Sequence, residues 1–181
     1  MEFYEKRGWW AQTKKQGTCA LIRVSPGRIQ MMNRHQQPLH WTMPRDVAEF
    51  LHDHLTHTTT LVAELMHHKT VPTKNTLYLF DVLVSGGEYL LGTTYASRYD
   101  ALLRMFPSPA ETPTHRVLHP RVWLAPSIRS GFVDYFNRLR TPDDEGIVRK
   151  DPPGVLRDCE NPRANSYWQV KCRRQTRGYA Y

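Results

Sequence analysis

Long apolar runs are missing from this chain. No stretch approaches the roughly eighteen apolar residues of a membrane-spanning helix, and Met1-Glu2-Phe3-Tyr4-Glu5-Lys6-Arg7 lacks the basic-then-apolar order of a signal peptide. The expectation is a soluble cytoplasmic protein with no membrane partner. Cysteine is scarce: Cys19, Cys159 and Cys172 are an odd number with no Cys-x-x-Cys spacing. That pattern argues against a disulfide framework and a structural zinc knuckle, and suits a reducing compartment. Histidine is not scarce, and His52, His54, His57, His67 and His68 lie close together. None belongs to a His-Glu-x-x-His set or pairs with cysteine at zinc spacing, so they read as exposed helix and loop residues. No local Ser/His/Asp or Cys/His motif is present, Gly86-Gly87 lacks the lysine and spacing of a phosphate loop, and there is no internal repeat or low-complexity tract.

What is present is enough for one core. A chain of 181 residues, 40% hydrophobic, fits a single domain over 1–181. The formal charge of +8 makes polyanions natural partners, nucleic acid or nucleotide phosphates. Basic side chains in the loop from Arg157 to Arg163, with Arg174 and Arg177, suit a nucleic-acid backbone, although a solvated basic surface explains them nearly as well.

Alternation of apolar and polar residues predicts strands at Thr18 to Val24 and Arg28 to Met32, joined by Ser25-Pro26-Gly27. Further strands are expected at Thr58 to Met66, Thr76 to Val84, near Arg116 to Leu124, Gly146 to Arg149 and Tyr167 to Arg173. The turn Ser85-Gly86-Gly87-Glu88 leads into Tyr89 to Leu91. Helical spacing predicts a helix over Arg45 to His57, capped by Thr42 with Pro44 in its first turn. A second starts at Ser97, and a third at Ser127 with a stripe of Ile128, Phe132, Tyr135, Phe136 and Leu139. The tryptophans Trp9 and Trp10 read as core edge. The proline-rich Asp151 to Ser166 reads as a surface loop able to meet substrate. A carboxylate at Glu64, inside an apolar strand, is costly unless a cation, metal or hydroxyl binds it.

Five segments occur in a telling order: Lys14-Lys15-Gln16-Gly17; Leu61-Val62-Ala63-Glu64-Leu65; Tyr78-Leu79-Phe80-Asp81-Val82-Leu83; Asp144-Glu145-Gly146-Ile147-Val148-Arg149-Lys150; and Tyr167-Trp168-Gln169-Val170-Lys171-Cys172-Arg173. From about Trp9 to Arg174 the chain resembles the covalent nucleotidyltransferase superfamily of ATP-dependent DNA ligases and RNA ligases, with mRNA capping guanylyltransferases more distant. The resemblance implies an α+β fold of mainly antiparallel sheets with flanking helices, an ATP-grasp-like nucleotidyltransferase (adenylation) domain with the nucleotide between its sheets.

By that resemblance Lys14, three before Gly17, is the nucleophile, while Lys15 has the wrong spacing. Arg34 matches an arginine contacting nucleotide or substrate phosphate, Glu64 a glutamate near the ribose, and Phe80 the aromatic that stacks on the base. Glu145 becomes a metal-side carboxylate, with Glu64 as a second candidate ligand. Lys150, Lys171 and Arg173 become nucleotide contacts. ATP and Mg²⁺ are the implied cofactors, and the implied partners are nucleic acid, as nicked duplex or RNA ends, and an accessory protein replacing a missing C-terminal domain. The motif departs from the Lys-x-Asp-Gly-x-Arg of DNA ligases at Gln16 and Cys19, and the chain leaves no room for a C-terminal OB-fold. A small stand-alone ligase suits a phage or bacterium and a role in DNA repair.

The implied chemistry sets requirements. A lysine attacks the α-phosphorus only when unprotonated, and cations such as Lys150, Lys171 and Arg173 favour that form while neutralising phosphate charge. The expected activity is strand sealing through a lysine-AMP intermediate, DNA slightly ahead of RNA. A capping-type guanylyltransferase and a non-catalytic nucleic-acid-binding relative are the alternatives.

Overall fold

The computed structural model describes residues 1–70, 72–107, 110–157 and 166–174. Cys159, Arg163 and Arg177 lie outside the described residues. In chain order the elements are α1 (Glu2–Glu5), β1 (Trp10–Lys15), β2 (Thr18–Ser25), β3 (Arg28–Met32), α2 (Arg45–His54), β4 (Thr59–Met66), β5 (Thr76–Ser85) and β6 (Glu88–Tyr89). They continue with α3 (Tyr95–Met105), β7 (Ala110–Glu111), β8 (Arg116–His119), β9 (Val122–Leu124), α4 (Phe132–Arg138), β10 (Asp144–Lys150) and β11 (Gln169–Arg173).

Among the described residues the strands form two sheets. The smaller has the order β1-β10-β11, and the larger β3-β2-β4-β5-β9-β8-β7 with β6 beside β5. The β5–β9 pairing is parallel and the other pairings are antiparallel. The expected α+β class with mainly antiparallel sheets is what the chain adopts.

Period-2 alternation divides the larger sheet into two faces. Ala20, Ile22 and Val24 of β2, Leu61, Ala63 and Leu65 of β4, and Leu77 and Leu79 of β5 are buried in one core with Val47 and Leu51 of α2 and Leu102 of α3. The helices thus cover this face, and the alternate residues, Cys19, Glu64, Tyr78 and Phe80 among them, face the opposite way, where they line a cavity between the sheets. A one-residue slip in β4 would exchange Glu64 with a core position, so hydrophobic burial fixes the site's register.

Four local expectations change. Thr42 does not cap α2, whose N-cap is Pro44 with no side-chain bond. Helix α3 begins at Tyr95, not at Ser97, because the Thr94 hydroxyl accepts from the Ser97 amide at 3.2 Å and caps the turn. The region from Arg116 to Leu124 is two antiparallel strands around Pro120-Arg121. Helix α4 begins at Phe132 because Glu5, far away in sequence, accepts from the amides of Gly131 (2.6 Å) and Phe132 (3.2 Å), while Ile128 pairs with Ala11 in a β-bridge. The hairpins at Ser25–Arg28 and Ser85–Glu88 form where the turn residues put them.

Candidate active site

Lys14 stands on the smaller sheet, not at the head of the β2 hairpin. β1 carries Lys14 and ends at Lys15, and Gln16 and Gly17 carry the chain across to β2 of the larger sheet. The nucleophile candidate and the Glu64–Phe80 face therefore belong to different sheets, and the space between them is a cavity of about 580 Å³. Every residue singled out for the site lines it.

One of those residues is placed by a bulge. On β5, alternation already sets Phe80 on the cavity face with Tyr78, and the irregularity there, Val62 pairing with Asp81 and Ala63 with Leu79, leaves Phe80 as the unpaired extra residue. On β10, Lys14 pairs with Gly146 and Lys15 with Asp144, so Glu145 is the extra residue. Gly146 next to it has φ +143°, and a Cβ there would sit 2.0 Å from the Cys172 carbonyl oxygen on β11, so only glycine fits. Glu145 is thereby aimed at Lys14, and the two form an ion pair with side chains largely buried. The Arg173 guanidinium stands 3.7 Å from the same Glu145 oxygen.

The Lys14 ammonium thus has a carboxylate, Glu145, as its direct partner, with the Arg173 guanidinium on that carboxylate's other side.

Glu64 faces the same space from β4. Burial, with the Glu145 charge adding to it, pushes its carboxyl up to about 7, while Lys14, Lys69 and Lys171 pull the other way. Two carboxylates that repel one another across a pocket fit a divalent cation made for oxygen donors. Among the described residues no group of three or more His, Cys, Asp or Glu gathers, so this protein would supply two ligands, and phosphate oxygens and water the rest.

At the other end of the cavity Lys150 is buried, with Nζ donating to the Phe80 carbonyl at 3.2 Å and lying 5.1 Å from the Phe80 ring centre and 4.3 Å from that of Tyr95. Desolvation lowers its ammonium to about 8, with Asp81 opposing and Arg98 reinforcing the shift. Lys171 and Arg173 come from β11, opposite Val148 and Gly146. Arg34 follows β3 on an exposed turn, where its Nε–H contacts the His35 ring nitrogen at 3.2 Å.

Several contributors carried no sequence signal. Lys69, in the segment after β4, donates to the Gly17 carbonyl at 2.8 Å and lines the cavity, as do Gln12 and Tyr78. Asp81, beside Phe80, is not a cavity group: it is held by the Arg98 guanidinium at 2.9 and 3.2 Å, both side chains buried. Arg174, expected on nucleic acid, instead donates to the Phe136 carbonyl at 2.7 Å and covers that ring. Arg157 lies over the Tyr167 ring at 5.5 Å.

No protein-family model matches the chain, and no curated protein matches it by sequence. Solved structures do match its fold. The ligase domain of M. tuberculosis LigD aligns with TM-score 0.60 at 20% identity, over 83% of this chain and 51% of that one. A mycobacterial DNA ligase D complexed with ATP and MES gives 0.59 at 19%, over 83% and 52%. A Lig E DNA ligase, described as binding DNA with a minimal scaffold, gives 0.58 at 13%, over 92% and 62%. The chain spans about half the length of the first two. Its fold is similar to that of these DNA ligase structures.

Proposed function

We propose that this chain is the adenylation domain of an ATP-dependent polynucleotide ligase, sealing 5′-phosphate/3′-hydroxyl breaks, with DNA ahead of RNA. The observation that carries the reading is the convergence of Lys14, Glu145, Glu64 and Phe80 from two sheets on one cavity. The DNA preference draws on the ligases that share the fold, which are DNA ligases by name.

In this reading the Lys14 amine attacks the α-phosphorus of ATP. The bond to the bridging oxygen breaks, pyrophosphate leaves with the electron pair, and the nitrogen gives up a proton to form a phosphoramidate. AMP then passes to a 5′-phosphate, and a 3′-hydroxyl displaces it to make the phosphodiester. Glu145 and Glu64 would hold Mg²⁺, which when bound offsets charge on the transferred phosphoryl group. Glu145 engaged in that way releases Lys14 from its ion pair. Phe80 offers its ring to the base, Lys150 donates beside that ring, and Lys171, Arg173 and Arg34 neutralise phosphates.

Intact mass after incubation with ATP and Mg²⁺ tests this. The expected gain is that of one AMP, about 329 Da, absent from Lys14→Ala. Nicked DNA and RNA substrates then separate the two polymers, and GTP in place of ATP tests the capping-type alternative. A wild type that binds nucleic acid but takes up no nucleotide would sink the ligase reading in favour of a binding module.

A further inference from the structure

Lys15 and Asp144 form a second ion pair directly behind the first. Lys15 Nζ lies 2.7 Å from Asp144 Oδ1, with side chains only 4% and 1% exposed. The ammonium sits 5.6 Å from the Tyr78 ring centre and 5.9 Å from that of Trp123. The second Asp144 oxygen accepts from the Thr141 hydroxyl at 2.6 Å. Nothing in the proposed chemistry uses these groups.

Their place in the ladder gives them a task. Lys14 pairs with Gly146; a regular antiparallel ladder would then set Lys15 opposite Glu145. Residues directly opposed in such a ladder project from the same face. Lys15 projects toward Asp144 and the Tyr78 and Trp123 rings, so in the regular register Glu145 would leave Lys14 and become the counter-ion of Lys15. A buried ammonium requires a carboxylate, and either neighbour could serve. The observed register gives Lys15 to Asp144, which makes Glu145 the extra residue of the bulge and leaves it to Lys14.

We propose that the Lys15–Asp144 pair is a register lock, a pair of positioning residues that keeps Glu145 on Lys14 by denying it to Lys15. The catalytic consequence rests on the ligase reading; the conformational one does not.

The crystal structure of Asp144→Asn is the direct test. The Glu145 carboxylate is expected on Lys15 Nζ, away from Lys14; a Glu145 still paired with Lys14 overturns the proposal. In single-turnover self-adenylylation the rate of Asp144→Asn is expected to fall about 100-fold, with KM for ATP within about threefold, the pattern of a displaced group rather than lost substrate binding. Adding Lys15→Met removes the competing ammonium, and the double variant is expected to regain most of that rate. A loss that follows only the unfolded fraction in thermal melts, with KM and rate of the folded protein unchanged, overturns it. Should Asp144→Asn not fold, Thr141→Val loosens Asp144 while keeping both charges: a fall in rate of about fivefold at constant KM is expected, and an unchanged rate rejects the lock. A wild type without any AMP adduct would defeat the ligase reading and leave the position of Glu145 in the crystal to decide the lock.

Discussion

A Cβ on Gly17 would stand 2.7 Å from Glu64 Cγ and 2.7 Å from the Leu65 carbonyl oxygen, so the turn that follows β1 and the strand that carries Glu64 are in contact only because residue 17 has no side chain. The spacing of Lys14 and Gly17 thus has a packing reason: the glycine lets β4 come up beside the end of β1. Gly17→Ala is expected to cost about 1–3 kcal/mol, the usual penalty for overpacking, and to push Glu64 out of place. Thermal unfolding measures the first effect. The second appears as a fall in self-adenylylation at temperatures where the variant is still folded.

Glu64 gives the metal-free protein a stability that depends on pH. Its carboxyl is ordinarily near 4.5 and here near 7, so between these values the folded chain keeps a proton that the unfolded chain has released. The stability contributed is present below about 4.5 and lost as pH rises through about 7. Melting curves in EDTA are expected to show the midpoint falling from pH 5 to pH 8, and Glu64→Gln is expected to flatten that slope. An identical slope in the variant would assign the dependence to other groups.

Phe80→Leu keeps bulk and removes the flat face. Stacking of a base on an aromatic ring contributes about 1–3 kcal/mol, so KM for ATP is expected to rise roughly 5- to 150-fold, with kcat changed less. The ring also packs beside Tyr78, Met66 and Trp123, and the melting midpoint of the same variant reports that structural share.

Arg98→Met isolates the support behind the base site. Arg98 holds Asp81 with two hydrogen bonds, gives a third to the Thr93 carbonyl at 2.8 Å, and lies 5.1 Å from the Trp168 ring centre. Removing one partner of a buried pair leaves the other uncompensated, and a loss of about 3–5 kcal/mol is expected in denaturant unfolding. Asp81→Asn with Arg98→Met is expected to recover part of it, whereas a further loss would show that the carboxylate has a role of its own.

The acidic residues that line the cavity were legible because they are polar groups in segments otherwise built for burial. Glu64 within Leu61 to Met66 and Glu145 before a glycine interrupt apolar strands, and the structure brings both to one cavity. The bulges were not legible. Alternation with Tyr78 puts Phe80 on the cavity face, but an extra residue in a ladder has no signature in spacing, so the pairing that frees Glu145 could not be read from it. Lys15 and Asp144 look like ordinary surface charges in sequence and are among the more buried polar residues. Helix starts failed where the cap came from afar: Glu5 sets the beginning of α4 from 127 positions away, beyond any local pattern. Lys69 lies in a polar segment with no motif, and only the fold brings its ammonium to Gly17.

The placement of Lys14 on one sheet and Phe80 on the other gives the proposed covalent intermediate a mechanical character. An AMP bonded to Lys14 and stacked on Phe80 would act as a further staple between two sheets already linked near the site by the chain at Gln16 and Gly17 and by Lys150 Nζ on the Phe80 carbonyl. The charged form of the enzyme would then resist separation of the sheets, and the strand-end substrate that removes the AMP would also release the staple, so turnover would alternate between a stiffened and a relaxed domain.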